Sequence, residues 1–485
     1  MELINLLETG IPMFGNTYGV SLNWIGNLIR LLISGVGIVG VGIILFSLIL
    51  KLIVLPFDIY QRIGMRKQNI KMKENQEKMA KLQKQYANNK ELYNQKVMEM
   101  YKESGISMFS SCLPMILSMV IFIVAINAFN AFSQYSNVQN YNTMVEAYNA
   151  ELKTYCAELK EENISVLDAE SKVLVKDADG ANTYIYYKVI KGEGYGATAA
   201  ENIAYIENAA KEYYIDVEKV KTNADIMTSV NAAMTANTEL TEEEAIYDYF
   251  VGKGQDAVLA SYKSTVKKNT QFLWIKNIWA TDASYKHPVL NYSDFKAEAK
   301  QEKFKVDGNK VKYSNIGTYT NAYEENSYNL VTAKLNKQKS EANGYYILIV
   351  LSIGTILLQQ FVMMRSQKEQ QQFSSVDGQG ASQQKMMMII MTGMFAIFSF
   401  MYSSAFSIYM IMSNIFSLIS TLVINKAVDI VAAKKEAKQT LTKFDNRRSE
   451  RLEAAKKAGQ SSAKSSQNRK AAKSQNKGNK TEDNR

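Results

Sequence analysis

Histidine and cysteine are almost missing from this 485-residue chain, which holds one His, His287, followed by Pro288, and two Cys, Cys112 and Cys156. One imidazole cannot build a His-based metal site or an H-E-x-x-H helix, so His287 is expected at the surface. Two cysteines, one in an apolar run and one in a polar block, do not make a disulfide framework, and both are assigned to packing. No G-x-x-x-x-G-K-[ST] loop occurs, since Gly252-Lys253-Gly254 lacks both the spacing and the hydroxyl. With no nucleophile beside a base either, the chain is read as no enzyme, with no cofactor and no metal. Lys and Arg are absent before Arg30, so a signal peptide with a basic start is not expected. Arginine is absent from residues 134–343 as well.

What is there is segregated. Blocks of about 20 apolar residues, each long enough to cross roughly 30 Å of hydrocarbon as a helix, alternate with strongly polar stretches. Charge divides in the same way. Residues 62–133 carry 11 Lys/Arg against 5 acids, residues 134–343 carry 24 Lys against 30 acids, and residues 434–485 carry 16 Lys/Arg against 6 acids. Because basic residues are retained on the cytoplasmic side, 62–107 and the tail are expected inside, and the Arg-free block and the N-terminus outside.

The fold class expected is an all-α polytopic membrane protein. It has five transmembrane helices, a cytoplasmic helical hairpin and an inserted external domain that is α+β or mainly helical. The expected order is an external N-terminus with an interfacial helix (1–35), a first span (36–60), the hairpin (61–107), a second span (108–133), the external insertion (134–343) and a third span (344–364). A cytoplasmic loop (365–385), a fourth span (386–402), a fifth (405–426) and a basic tail (427–485) follow. Residues 65–104 lack Gly and Pro and are rich in good helix formers. Ala87-Asn88-Asn89 marks the reversal of this hairpin, whose charges fit either a solvated surface or a docking surface. In the insertion, Lys172–Ile190 reads as two strands around Asp179-Gly180, while Ala199–Lys221 and Thr241–Lys268 read as helices. The last 25 or so residues have no apolar side chain larger than Ala and cannot bury a core.

The residue that stands out is Lys51, inside LFSLILKLIVLP at 45–56. If the first span covers Leu31–Leu50, Lys51 is an end residue whose amine reaches the headgroups. If it covers about Ile38–Tyr60, a charge costing roughly 3 kcal/mol lies within the inner half. The stretch LNWIGNLIRLLI at 22–33 favours the second placement. Trp24, Leu28, Leu31 and Leu32 share one face against Asn23, Asn27 and Arg30, as in a helix lying in the interface.

KLIVLPFDIYQRIGMRKQ, beginning at Lys51, resembles the first core helix of the YidC family of membrane protein insertases. Further resemblances are MYKESGISMFSSCLPMIL at the hairpin end and second span, FLWIKNIWATD at 272–282, YYIL with GTILLQQ at 345–360, and MMMIIM through SIYMIMSNIFS at 386–417. Together they cover about 20–133, 270–282 and 344–426. The departures are specific. The family's arginine is Lys51, its glycine pair is Ser110-Ser111, and a glutamine and a proline of the second helix are Ser118 and Val120. In the fourth helix a proline is Thr392, the Pro-Ala-Gly turn is Ser403-Ser404-Ala405, and the tryptophan after Tyr409 is Met410. The external connection before the third span is much longer than in Gram-positive relatives.

The resemblance implies a hydrophilic groove open to the cytoplasm and to lipid and closed outside. Lys51 would project into it, with Ser118, Gln359 or Gln360, Tyr409 and Met410 as further candidates for its lining. The implied function is nucleotide-independent insertion and chaperoning of client membrane proteins in the cell membrane. The implied partners are nascent membrane proteins and membrane lipids, with a ribosome reached through 434–485 and a Sec-type translocon as further candidates, and no DNA. Two readings stay open for the tail, ribosomal RNA or anionic lipid. Two also stay open for Met363, Met364, Met386–Met388, Met391 and Met394, an adaptable client surface or plain helix packing. The rival functions are a small-solute transporter with Lys51 binding an anion, and a membrane-anchored surface binding protein.

Overall fold

The computed structural model describes residues 11–14, 17, 20–105, 113–155, 164–166, 172–175, 185–189, 211–215, 220–299, 305–306, 309–310, 322–366, 379–427, 430–431, 434 and 447–455. Cys112, Cys156, Ser110 and Ser111 and most of the basic tail lie outside them. Helix α1 (Trp24–Val36) starts where the Asn23 side chain accepts the Gly26 N–H, and it stops at Gly37, whose φ of 76° is the left-handed cap that glycine adopts without strain. Ile29 is fully buried, while Trp24 and Leu31 stay exposed, the two-faced pattern of a helix lying flat on an apolar surface.

The chain then turns into α2 (Val39–Gln85), a 47-residue helix that keeps Pro56 inside it. Its Val39–Gly64 portion is long and apolar enough to cross a membrane, so Lys51 lies near the middle of the apolar stretch rather than at its end. Beyond that stretch α2 turns back at 86–89 into α3 (Lys90–Glu103), which the Asn89 side chain caps by accepting the Leu92 N–H. Met79, Met100 and Tyr101, flanked by Leu82 and Val97, form a small core of their own. Asn75 donates to Ser104 Oγ at 2.6 Å where the hairpin closes, beside Gly105 with φ 63°.

Helix α4 (Leu113–Lys153) runs for 41 residues, far more than a bilayer needs. Its later turns supply Val138, Tyr141, Met144, Val145, Tyr148 and Leu152 to the core of the inserted domain. That domain is therefore mounted on a continuous helix rather than on a flexible linker. Among the described residues the domain also holds a five-stranded sheet and several helices. Strands β1 (Ile11–Met13), β2 (Ile164–Val166), β3 (Lys172–Val175), β4 (Ile185–Val189) and β5 (Lys211–Ile215) pair antiparallel in the order β1-β5-β4-β3-β2. The N-terminal strand is fixed further by Asn149, whose side chain exchanges two hydrogen bonds with the Phe14 backbone.

The two strands read from Lys172–Ile190 are β3 and β4, with Val173 opposite Tyr187. The helix expected over Ala199–Lys221 is corrected. Residues 211–215 form β5, held by β4 on one side and β1 on the other, and Tyr213, Tyr214 and Ile215 suit a paired strand better than a lone helix. Residues 199–210 lie outside the described residues. The helices include α5 (Ala224–Ala236), α6 (Glu242–Ser261), α7 (Tyr292–Glu298) and α8 (Glu325–Val331). Helix α6 opens on a capping box in which Thr241 and Glu244 bond each other's backbone N–H, and a π-turn over Tyr262–Val266 carries it on to Thr270. His287 is half-buried, its Nδ1 at 2.9 Å from the Glu341 carbonyl, which corrects the surface placement.

Three long helices follow, α9 (Ile347–Ser366), α10 (Gln379–Met401) and α11 (Ser404–Ala427), and residues 447–455 of the tail are helical too. By length and composition four stretches qualify to cross a membrane among the described residues: Val39–Gly64, Met119–Lys153, Ile347–Arg365 and Ser404–Ala427. Within α10 a shorter apolar piece, Thr392–Met401, is found. The helical, multi-pass membrane architecture expected from hydropathy is thus present. Its core joins Phe46 of α2, Phe122 and Phe129 of α4, and Phe406 and Tyr409 of α11.

Phe272 is wedged against the start of α2, where a Cβ built on Gly40 would fall 2.2 Å from the ring. Gly40→Ala should therefore cost about 1–3 kcal/mol through overpacking. Gly35→Ala, with nothing within 4 Å of its Cβ, should be neutral or slightly stabilising. Thermal unfolding of both variants in detergent checks the contrast.

Candidate functional site

Two polar arrangements interrupt the apolar core. The first closes one end of the helix bundle. Residues 277–283 thread between α4, α9 and α11 and are bonded to each. Ser133 of α4 donates to the Trp279 carbonyl at 2.7 Å, and the Ser404 hydroxyl donates to the Ala280 carbonyl at 2.8 Å. The Ser404 and Ala405 N–H groups donate to the carbonyls of Ala280 and Ile278, both at 2.9 Å. Asp282, fully buried, accepts from the N–H of Tyr345 at 2.7 Å and of Leu348 at 2.6 Å. A carboxylate at the start of α9 meets unpaired N–H groups and the positive end of the helix dipole. Asn277 and Asn343 complete the seal: the Asn343 side chain accepts the Asn277 N–H at 2.7 Å and donates to the carbonyls of Asn277 and Thr281 at 2.9 Å.

The second arrangement is a seam between α2 and α11. Lys51 Nζ donates to Ser417 Oγ at 2.9 Å. Further along, Arg62 donates to Asn425 Oδ1 at 3.0 Å and to the Thr421 hydroxyl, which itself donates to the Ser417 carbonyl at 2.6 Å. Ser417, Thr421 and Asn425 recur every four residues, and Lys51, Asp58 and Arg62 stand two turns and one turn apart, so each set shares one helix face. Lys51, Asp58 and Arg62 are all half-buried. Charged side chains thus lie inside or at the border of an apolar span, where a charge is costly, and two of them, Lys51 and Arg62, are bonded across the seam by neutral hydroxyl and amide groups.

Of the residues singled out in the sequence, Lys51 is in this seam. Gln360 accepts from the Thr392 hydroxyl at 2.6 Å, which joins α9 to α10, and Gln359 beside it is half-buried. Tyr409 and Met410 are buried, the Tyr409 ring 5.4 Å from that of Phe129. Ser118 belongs to α4, and its side chain is outside the described set. Asp58 and Arg62 are not among the residues singled out in the sequence. The four-residue spacing of Ser417, Thr421 and Asn425 in an apolar helix was the sign that could have found their partner face. Two neighbouring polar bridges, Asn414 to Thr355 at 3.3 Å and Ser352 to Ser399 at 2.9 Å, tie α9 to α11 and α10.

A family model described as 60Kd inner membrane protein matches residues 31–184 and 245–433. The chain is 36% identical over 98 residues to the "Membrane protein insertase YidC" of Caldanaerobacter subterraneus subsp. tengcongensis, covering 20% of this chain and 46% of that protein. It is 39% identical over 95 residues to the protein of the same name from Clostridium perfringens, covering 18% and 38%. The Fusobacterium nucleatum protein of that name is 34% identical over 86 residues, covering 18% and 40%. Each match thus spans less than half the length of the curated relative. No solved structure matches the chain.

Proposed function

The chain belongs to the 60Kd inner membrane protein family, that of the YidC insertases, and from this premise we propose that it inserts and chaperones client membrane proteins without nucleotide hydrolysis. The observation that carries the reading is the seam of Lys51, Asp58 and Arg62 against Ser417, Thr421 and Asn425 between two otherwise apolar helices. A polar tail crossing hydrocarbon loses its hydrogen bonds to water, at several kcal/mol for each unsatisfied group. A polar, half-open seam shortens that crossing, and the client's apolar helix leaves sideways into lipid.

In this reading α10 is a fifth span, the N-terminus and the inserted domain are outside, and the α2–α3 hairpin and the tail are cytoplasmic. The roof around Asp282 closes the outer end. Ser118, Gln359, Gln360, Tyr409 and Met410 are the further lining residues beside Lys51. The basic tail at 434–485 serves ribosomal RNA or anionic lipid, and a Sec-type translocon is a further partner. Purified full-length protein in liposomes without ATP, offered a single-span client with a short acidic N-tail, should protect that tail from external protease above protein-free liposomes. Equal protection in both would end the proposal.

A further inference from the structure

Asp58 lies on the seam face of α2, two turns from Lys51 and one turn from Arg62. An acid four residues before an arginine on a helix ordinarily meets it. Here Arg62 is held across the seam by Asn425 and the Thr421 hydroxyl, and Lys51 is given to Ser417. Among the described residues Asp58 makes no hydrogen bond or ion pair, although both cations act on it electrostatically. It is half-buried. Counting from Val39 at about 1.5 Å per residue, Asp58 falls roughly 28 Å along the helix, close to the far edge of about 30 Å of hydrocarbon. A carboxylate at that depth with no direct bond of its own gains from a basic group brought into contact, and anionic lipid headgroups would be repelled by it.

We propose that Asp58 is a binding point for a basic residue, Lys or Arg, in the flank of the client that stays on the cytoplasmic side. This rests on the insertase reading above. Lys51 and Asp58 then form two opposite poles about 10 Å apart along the seam, met in turn by the acidic leading tail of a client as it enters and by the basic trailing flank once the span has passed. Arg62 lies beyond Asp58 and directs two of its five donors to Asn425 and Thr421, so its charge weakens the site without filling it, and the client can leave. The arrangement favours one orientation of entry: a reversed client would put its base against Lys51 and its acid against Asp58.

The test uses the full chain and single-span client peptides of identical span and acidic N-tail, with Lys-Lys, Gln-Gln or Glu-Glu after the span. Two readouts are taken, protease protection in liposomes and anisotropy of the fluorescent peptide bound to detergent-solubilised protein. Wild type should bind the Lys-Lys flank about threefold to fivefold more tightly than the Gln-Gln flank, the size of a half-exposed ion pair. Asp58→Asn should abolish that preference, bringing the Lys-Lys and Gln-Gln clients to within about 1.5-fold of each other. A preference that survives Asp58→Asn, or an equal loss for all three flanks, overturns the site. Intact flank-dependent binding with no protection of any client would instead keep the site and end the insertase reading.

Discussion

Asp282→Ala should lower the stability of the folded protein by about 2–3 kcal/mol, because it strips the acceptor from the buried Leu348 N–H and the part-buried Tyr345 N–H, while the Tyr346 N–H keeps the Asp282 backbone carbonyl at 3.1 Å. Oδ1 accepts from the Tyr345 and Tyr346 N–H groups at 2.7 and 3.2 Å, and Oδ2 from Leu348 at 2.6 Å. The Leu348 N–H left unpaired in a buried site costs about 1–3 kcal/mol, and loss of a helix cap about 1 kcal/mol. Partial relaxation keeps the total below the sum. Gly344 is there for the same reason, since a Cβ at that position would lie 1.9 Å from Asp282 Oδ1. Asp282→Asn keeps one oxygen acceptor but points N–H groups towards donors, so it should fall between wild type and Ala. Thermal and denaturant unfolding of the full chain in detergent reads the order. A variant with Ala within about 1 kcal/mol of wild type would mean that water replaces the carboxylate, and that the roof is looser than its hydrogen bonds imply.

The roof shows where sequence reading stops. Apolar runs of the right length gave away the long helices, and a lysine inside one of them drew the eye because a charge in hydrocarbon needs a reason. Asp282 carried no such mark: it is one acid among many in a polar block, and its worth comes from folding against residues 63–66 positions later. The resemblance of FLWIKNIWATD flagged the segment but not the carboxylate's partners. Strand β5 was missed for a related reason. Its Tyr213, Tyr214 and Ile215 favour a strand, but so short a run is fixed as one only where β4 and the distant β1 offer edges on both sides. Arg62 carries no mark in the sequence, because its partners, Thr421 and Asn425, lie more than 350 positions away.

For Lys51 the expected loss is one of activity. Removing its ammonium takes away a single hydrogen bond to Ser417, so the fold should tolerate Lys51→Ala with a change below about 1 kcal/mol. What it removes is the positive pole near the middle of the Val39–Gly64 stretch. An acidic residue entering a half-dry seam gains from that pole about 1.4 kcal/mol, equivalent to tenfold in binding or rate. Lys51→Ala should therefore slow insertion of clients with an acidic N-tail about tenfold and leave neutral-tailed clients within about twofold. Lys51→Arg should restore the acidic-tailed rate, since the guanidinium keeps the charge and adds a fork that grips a carboxylate with two bonds. Initial rates of tail protection in liposomes decide it. Equal slowing of acidic and neutral tails by Lys51→Ala would mean that the lysine shapes the seam without reading charge, and failure of Lys51→Arg to recover would point to the compact ammonium and its Ser417 contact as the feature required.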